Sequence, residues 1–306
     1  MTAVGRTALL LGLAGIATIA SAAVLARRRE RERCDVPART GSEAPANKTA
    51  SQLDRASAML AASALADSAV EHYRGSFHNK AMYVPLGVSA LTLTVSVRDA
   101  MGAAPHEPIQ RDIVNGLAVA TGIIGSGFHI YNIVKRPGGF SWVNLFYAAP
   151  LGAPAALSLA GLLGVAAQRL RGNNTSPSGP LLAGLVSAGL LGTAGEAGLL
   201  HFRGAYHNPA MVIPIIAAPT AAALLARAAI SPRSKSVAAR WSLRLLAGVG
   251  FAGAAFHAYG VQRNMGGWRN WSQNLLNGPP LPAPPAFTAL AIAGLAALGL
   301  IEEEKL

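Results

Sequence analysis

The chain has few charged, aromatic and cysteine residues for its length. Of its 306 residues, 13% are charged, 6% are aromatic and one, Cys34, is a cysteine. A single cysteine excludes an internal disulfide bond. So small a charged fraction argues against a soluble domain, in which about a quarter of the residues are normally charged. Acidic residues are also few, since 14 Asp and Glu stand against 26 Lys and Arg. The chain is therefore strongly basic.

Small and apolar residues dominate what is present. Hydrophobic residues reach 52% and glycines number 33, a composition typical of packed transmembrane helices. Apolar runs of the ~20 residues that cross a ~30 Å hydrocarbon layer recur along the whole chain. The basic residues lie in short tracts between these runs, so we interpret them as topology signals rather than as a nucleic-acid surface. The sequence predicts an all-α integral membrane protein in contact with the lipid bilayer.

The first apolar run has an asymmetric charge pattern. It covers about residues 8–26 and is followed by a dense basic tract at residues 27–33. A cleaved signal peptide carries its basic residues before the apolar run. We therefore expect an uncleaved transmembrane anchor over residues 1–33, with a periplasmic N-terminus. Residues 34–53 are polar and rich in small residues, which favours a flexible cytoplasmic linker.

Eight further spans follow the anchor, which makes about nine transmembrane helices. They are expected at residues 57–73, 81–98, 111–135, 142–168, 180–202, 209–230, 241–262 and 283–301. With the anchor ending inside, most Lys and Arg residues fall on the cytoplasmic side, as the positive-inside rule requires. The sequence thus predicts a multi-pass protein of the inner (plasma) membrane with a cytoplasmic C-terminus.

The strongest pattern is an internal repeat. The segment HYRGSFHNKAMYVP at residues 72–85 realigns with HFRGAYHNPAMVIP at residues 201–214, with eight identities in fourteen positions. Further matches join Phe128-His129 to Phe256-His257 and Pro150 to Pro280. Duplication of one ancestral unit explains these matches, whereas chance does not.

The repeat divides the chain into two units of four spans each. These cover residues 54–170 and 180–301, joined by a cytoplasmic linker at residues 171–179 and followed by an acidic cytoplasmic tail at residues 302–306. An even number of spans inserts both copies in the same orientation. We therefore expect two tandem four-helix repeats related by a pseudo-twofold axis along the membrane normal.

Six of the seven histidines occupy repeat-equivalent places at the outer ends of spans. They are His72, His78 and His129 in the first unit and His201, His207 and His257 in the second. His106 lies on a cytoplasmic loop, has no counterpart and is assigned no role. Three imidazoles per unit suit iron, copper or zinc. Alternatively, two histidines from facing helices, such as His72 and His129, would supply the axial ligands of a b-type haem.

Other repeated polar residues accompany these histidines. As groups that would hydrogen-bond to the ligands or carry protons we consider Asp67, Glu196, Arg74, Arg203, Tyr131 and Tyr259, and as additional ligands Met82 and Met211. Intramembrane carboxylates are costly and usually have a partner or a function. The arginines and tyrosines are also typical of headgroup anchors, and the methionines of helix packing.

Three functions fit these patterns. The leading hypothesis is a redox subunit whose metal or haem sites at the periplasmic face transfer electrons between a periplasmic redox protein and quinone. The first alternative is a transporter for a metal ion or small solute, which a parallel duplication with intramembrane acids also suits. The second is a structural or assembly factor whose histidines only join helices. No catalytic residue is assigned, and the sequence does not decide whether the protein is an enzyme.

Overall fold

The computed structural model describes residues 43–102, 108–172, 177–231 and 236–304. Within these ranges the chain forms ten α-helices and three short 3-10 helices, with no strand. The predicted anchor, Cys34 and His106 lie outside the described residues.

Eight of the ten helices are long. They are α1 (Glu43–Arg74), α2 (Val84–Ala100), α3 (Pro108–Val134), α5 (Gly152–Arg171), α6 (Gly179–Arg203), α7 (Ile213–Ile230), α8 (Val237–Gln262) and α10 (Pro285–Glu303). The short helices α4 (Trp142–Phe146) and α9 (Trp271–Asn277) lie in the two long connections, and 3-10 turns occupy Lys80–Tyr83, Pro209–Val212 and Gly267–Asn270. We call α1–α5 the first half and α6–α10 the second half.

Six of the described helices are long and apolar enough to cross a membrane. Their ranges are Lys80–Ala100, Ile109–Val134, Gly152–Arg171, Gly179–Arg203, Pro209–Ile230 and Pro285–Glu303. The chain is therefore an all-α, multi-pass membrane protein. Helices α1 and α8 are not among the six, so nine spans stay a prediction.

Two predicted boundaries are wrong. The span expected at residues 142–168 is two helices, because Pro150 between them lacks an N–H and disfavours helical geometry in the preceding residue. The linker expected at residues 34–53 is helical from residue 43 onward, as part of α1. Its Ala50 and Leu53 are fully buried in the core, and this burial stabilises a helix that the polar sequence alone did not indicate.

Each half arranges its four long helices in a ring. In the first half α1 and α3 both pack against α2 and α5, which also contact each other, so α1 and α3 lie on opposite sides of the α2–α5 pair. In the second half α6 and α8 likewise both pack against α7 and α10. The halves join because α10 also packs along α1. Helix α10 is accordingly the most deeply buried of the six apolar spans.

Glycines allow close helix crossings in both halves. A Cβ atom at Gly122 of α3 would lie 2.6 Å from the backbone nitrogen of Ser158, and one at Gly250 of α8 would lie 2.8 Å from that of Thr288. The hydroxyls of Ser158 and Thr288 donate hydrogen bonds to carbonyls of the facing helix. Since lipid tails supply no hydrophobic drive between helices, such close packing is what holds a membrane bundle together.

Ion pairs close the end of the bundle opposite the histidine motifs. They join Arg111 to Asp99, Arg171 to Asp54 and Arg240 to Glu302. The Arg111–Asp99 pair, at 2.5 Å, is buried on both sides. Removing one member of such a pair leaves an uncompensated buried charge. The predicted acidic tail therefore begins within α10, where Glu302 belongs to the bundle.

Candidate histidine sites

All six repeated histidines lie at one end of the bundle, which we call the histidine end. Helices α1, α3, α6 and α8 finish there, while α2, α5, α7 and α10 begin there. His72 and His201 occupy the last turns of α1 and α6. The alternating helix directions thus gather residues that are far apart in sequence.

His72 and His201 join the end of one helix to the start of the next. The Nδ1 atom of His72 lies 2.7 Å from the carbonyl oxygen of Met82, and that of His201 lies 2.7 Å from the carbonyl oxygen of Met211. Because a carbonyl only accepts hydrogen bonds, Nδ1 must carry the proton in both imidazoles.

His129 and His257 make the same kind of bond to the connection that precedes the fourth long helix. Their Nδ1 atoms lie 2.6 Å and 2.7 Å from the carbonyl oxygens of Pro150 and Pro280. The repeated prolines therefore present the carbonyls that orient these two imidazoles.

His78 and His207 lie apart from the other four, in exposed loops. Their Nδ1 atoms contact the carbonyls of Gly75 and Gly204 at 3.0 Å and 3.1 Å. The next residue, Asn79 or Asn208, accepts a hydrogen bond from the backbone two residues on and so caps a 3-10 turn. Each asparagine is thus the N-cap of a 3-10 turn that precedes the next α-helix.

The remaining histidines form two pairs across the rings. His72 and His129 are close enough to interact electrostatically, and so are His201 and His257. We call these four the paired histidines. Within the described part of the chain, their Nε2 atoms make no hydrogen bond. Each Nε2 therefore keeps a lone pair that could bind a metal, a haem iron or a proton.

Three donors do not converge at any point in the described ranges. No group of three His, Cys, Asp or Glu side chains there is placed to hold a metal ion. The arrangement thus offers two imidazoles per half instead of the three that the sequence suggested. Any further ligand would have to come from outside these histidine pairs.

The two repeated acids approach each other where the halves meet. Asp67 interacts electrostatically with Glu196, and also with Glu71 and Arg74 of its own helix. Both carboxylates are half-buried. The Glu196 carboxylate lies against the start of α5, where a Cβ atom added at Gly152 would be 1.7 Å from its Oε2.

The two repeated arginines have different partners. Arg74 donates to Glu71 in an exposed pair at 2.7 Å. Arg203 instead donates to the carbonyls of Leu145 and Ala148, at 3.2 Å and 3.3 Å, and lies over the Phe146 ring. Arg203 therefore anchors the loop between α4 and α5 to the end of α6.

Neither the methionines nor the tyrosines point to a bound group. A Cβ atom added at Gly75 would lie 3.2 Å from Cε of Met82, and one added at Gly204 would lie 3.2 Å from Cε of Met211. Both methionine side chains therefore pack against the loops. Tyr131 and Tyr259 are 48% and 61% exposed. Together with the exposed rings of Trp142, Tyr147, Phe202 and Trp271, they form an aromatic belt of the kind found at headgroup level.

Two asparagines, one in each half, close the turns of the connections that lead to the histidine sites. They were not predicted from the sequence. The Asn144 amide donates to the carbonyls of Pro137 and Gly139, and the Asn274 amide donates to those of Met265 and Gly267. They close the turns whose glycines adopt positive φ. The available signal was their spacing, which equals that between Pro150 and Pro280.

Comparison with known proteins adds no relative: no family model, curated protein or solved structure matches the chain. The fold and the site therefore define the protein by class, as an all-α multi-pass membrane protein with paired histidines at one end of its bundle.

Proposed function

We propose that the protein is a redox subunit of the inner membrane with two bis-histidine sites near the periplasmic face. In this proposal His72 with His129, and His201 with His257, each bind a b-type haem or one transition-metal ion. The observation that carries it is the state of the four imidazoles. Each has Nδ1 fixed by a backbone carbonyl, while Nε2 makes no hydrogen bond within the described residues.

This arrangement is what histidine ligands usually require. A metal-bound histidine commonly donates its other ring N–H to a carbonyl or carboxylate, which fixes the tautomer and the ring orientation. The protein meets this condition four times. A ring already held in one tautomer loses less rotational freedom on binding, so the carbonyl bonds would strengthen ligation.

The ligand set favours haem or a redox metal. Two imidazoles from facing helices are a complete axial set for a b-type haem. Iron or copper would need further ligands, which water could supply. Either cofactor would gain and lose one electron, whereas zinc would not and would argue for transport or structure instead.

The proposal includes the tandem duplication and nine spans. The equivalent hydrogen bonds of the two halves support it, since all three histidines, the capping asparagine and the turn asparagine make matching contacts in each. Two parallel units would be related by an axis along the membrane normal. The basic residues opposite the histidine end favour a periplasmic location for that end.

The proposed partners are quinone and a periplasmic redox protein. A site near the interface is within reach of both, since quinone diffuses in the bilayer and the protein partner would approach from the periplasm. The test is the reduction of the purified, cofactor-loaded protein in proteoliposomes by a quinol analogue, followed optically. Reduction by quinol is expected. Loaded protein that quinol does not reduce, but that carries metal or solute across the vesicle membrane, would establish the transporter instead.

A structural role is the second candidate, and one observation favours it. His78 and His207 lie in exposed loops away from the pairs, yet make the same Nδ1–carbonyl bonds. A histidine–carbonyl hydrogen bond therefore also occurs in loops that lie away from the proposed cofactor sites. If that role were general, replacing each paired histidine would reduce stability, and no cofactor would be found in any preparation.

A further inference from the structure

Two side chains of the second half contact one loop of the first half. Arg203, at the end of α6, donates to the carbonyls of Leu145 and Ala148. About two turns earlier on α6, the Glu196 carboxylate lies against Gly152, where an added Cβ atom would be 1.7 Å from Oε2. A cation and a carboxylate of one helix thus contact the two ends of the same short segment.

This segment also orients a histidine. Pro150, whose carbonyl accepts the Nδ1–H of His129 at 2.6 Å, lies between the residues that Arg203 binds and Gly152, which Glu196 contacts. A movement of the 145–152 segment would therefore move the carbonyl that fixes the His129 ring.

Within the described residues, Asp67 and Arg74 of the first half do not make the matching contacts with the second half. The position equivalent to Gly152 is Pro282, which has no N–H to donate. A Cβ atom at Gly152 would lie 1.7 Å from the Glu196 carboxylate, so the ring of a proline there would fill the space that the carboxylate occupies. The acid on α1 is correspondingly the shorter Asp67, and Arg74 donates to Glu71 of its own helix.

Helix α1 nevertheless reaches the equivalent loop by another bond. Ser63, one turn before Asp67, donates to the carbonyl of Pro282. The difference between the halves is therefore one of side-chain chemistry and not of separation between the helices.

We propose that Glu196 and Arg203 are positioning residues for His129, and that the two histidine pairs are for this reason not equivalent. The His72–His129 pair is fixed by contacts from the other half, while the His201–His257 pair has no matching support from Asp67 and Arg74. This inference rests on the proposed function only where cofactor binding is concerned. The orientation of His129 is a property of the chain alone.

The first test needs no cofactor. In protein labelled with ¹⁵N-histidine, the Nδ1–H resonances of His129 and His257 are assigned with His129→Asn and His257→Asn. Glu196→Ala is expected to shift or broaden the His129 resonance and to leave that of His257 in place. Its matched control, Asp67→Ala, is expected to leave the His257 resonance in place. An unmoved His129 resonance in Glu196→Ala, or an equal response of His257 to Asp67→Ala, would overturn the inference.

A second variant guards against misfolding. Glu196→Gln keeps the size of the side chain and so its contact with Gly152, while it removes the charge, so its His129 shift should lie between those of the wild type and Glu196→Ala. If Glu196→Ala fails to fold, the His129 resonance is compared in Glu196→Gln and Arg203→Gln instead. Arg74→Gln is the control, which should leave the His129 and His257 resonances in place. Unshifted His129 in both folded variants would refute the positioning role.

The cofactor readout separates this inference from the proposed function. Loss of an outer-shell partner typically weakens metal binding by about 10–100-fold, so Glu196→Ala should weaken the site that His129→Ala abolishes and spare the other. If wild type binds no cofactor, the proposed function fails while the NMR result still decides the positioning role. Equal weakening of both sites would contradict the inferred non-equivalence.

Discussion

Gly152 should be sensitive to a single added methyl group, and only while Glu196 is present. In Gly152→Ala the new Cβ atom would lie 1.7 Å from Oε2 of Glu196, so the carboxylate must leave the start of α5. It would lose its contact with the first turn of that helix. Overpacking of this kind costs about 1–3 kcal/mol, so we expect the free energy of unfolding to fall by about that amount.

The double variant distinguishes this cause from any other effect of the methyl group. Glu196→Ala alone should cost a similar amount, and Gly152→Ala in the Glu196→Ala background should cost little more, because both changes remove the same contact. The assay is reversible unfolding in mixed detergent micelles, followed by circular dichroism. Gly127→Ala is the control, since a Cβ atom there would have no atom outside its own helix within 4 Å. Additive losses in the double variant would refute the reasoning.

Three further predictions concern packing, charge and ligation. Gly122→Ala should destabilise the fold by about 1–3 kcal/mol through overpacking against α5, while Gly127→Ala should not, in the same unfolding assay. Asp99→Ala should cost about 3–5 kcal/mol, because it leaves Arg111 buried and unpaired; equal stability of this variant and the wild type would contradict the buried pair. Met82→Leu should leave cofactor content and spectrum unchanged, because its thioether packs on the loop; a changed spectrum would make Met82 a ligand.

Much of the helix layout could be predicted from hydropathy. The eight runs expected after the anchor correspond to long helices, because a span must be apolar for about 20 residues. The break before α5 was missed because residues on both sides of Pro150 are apolar, and hydropathy does not register a lost N–H. The early start of α1 was missed for the opposite reason, since its polar, Ala-rich residues are helical through burial against other helices.

The repeat indicated which histidines are equivalent but not how they are held. Duplicated spacing shows which residues are equivalent, and alternating helix directions then place them at one end. The carbonyls of Met82 and Pro150 could not be predicted as their partners, because a carbonyl's direction depends on loop backbone angles rather than on residue type. The sequence also did not indicate that the difference between Gly152 and Pro282 affects the site, because the Glu196 carboxylate that lies beside Gly152 comes from another helix.

The central claim is that the paired histidines bind a redox cofactor through Nε2. It is tested most directly by absorption spectra of the air-oxidised and dithionite-reduced protein, with elemental analysis of the same detergent-purified sample, expressed with haem precursor, iron, copper and zinc supplied. We predict a bis-histidine haem spectrum or bound iron or copper. The amount of cofactor per protein should fall by half in His72→Ala and to zero in the His72→Ala/His201→Ala double variant. A folded wild-type protein that contains neither haem nor a redox metal would contradict the account.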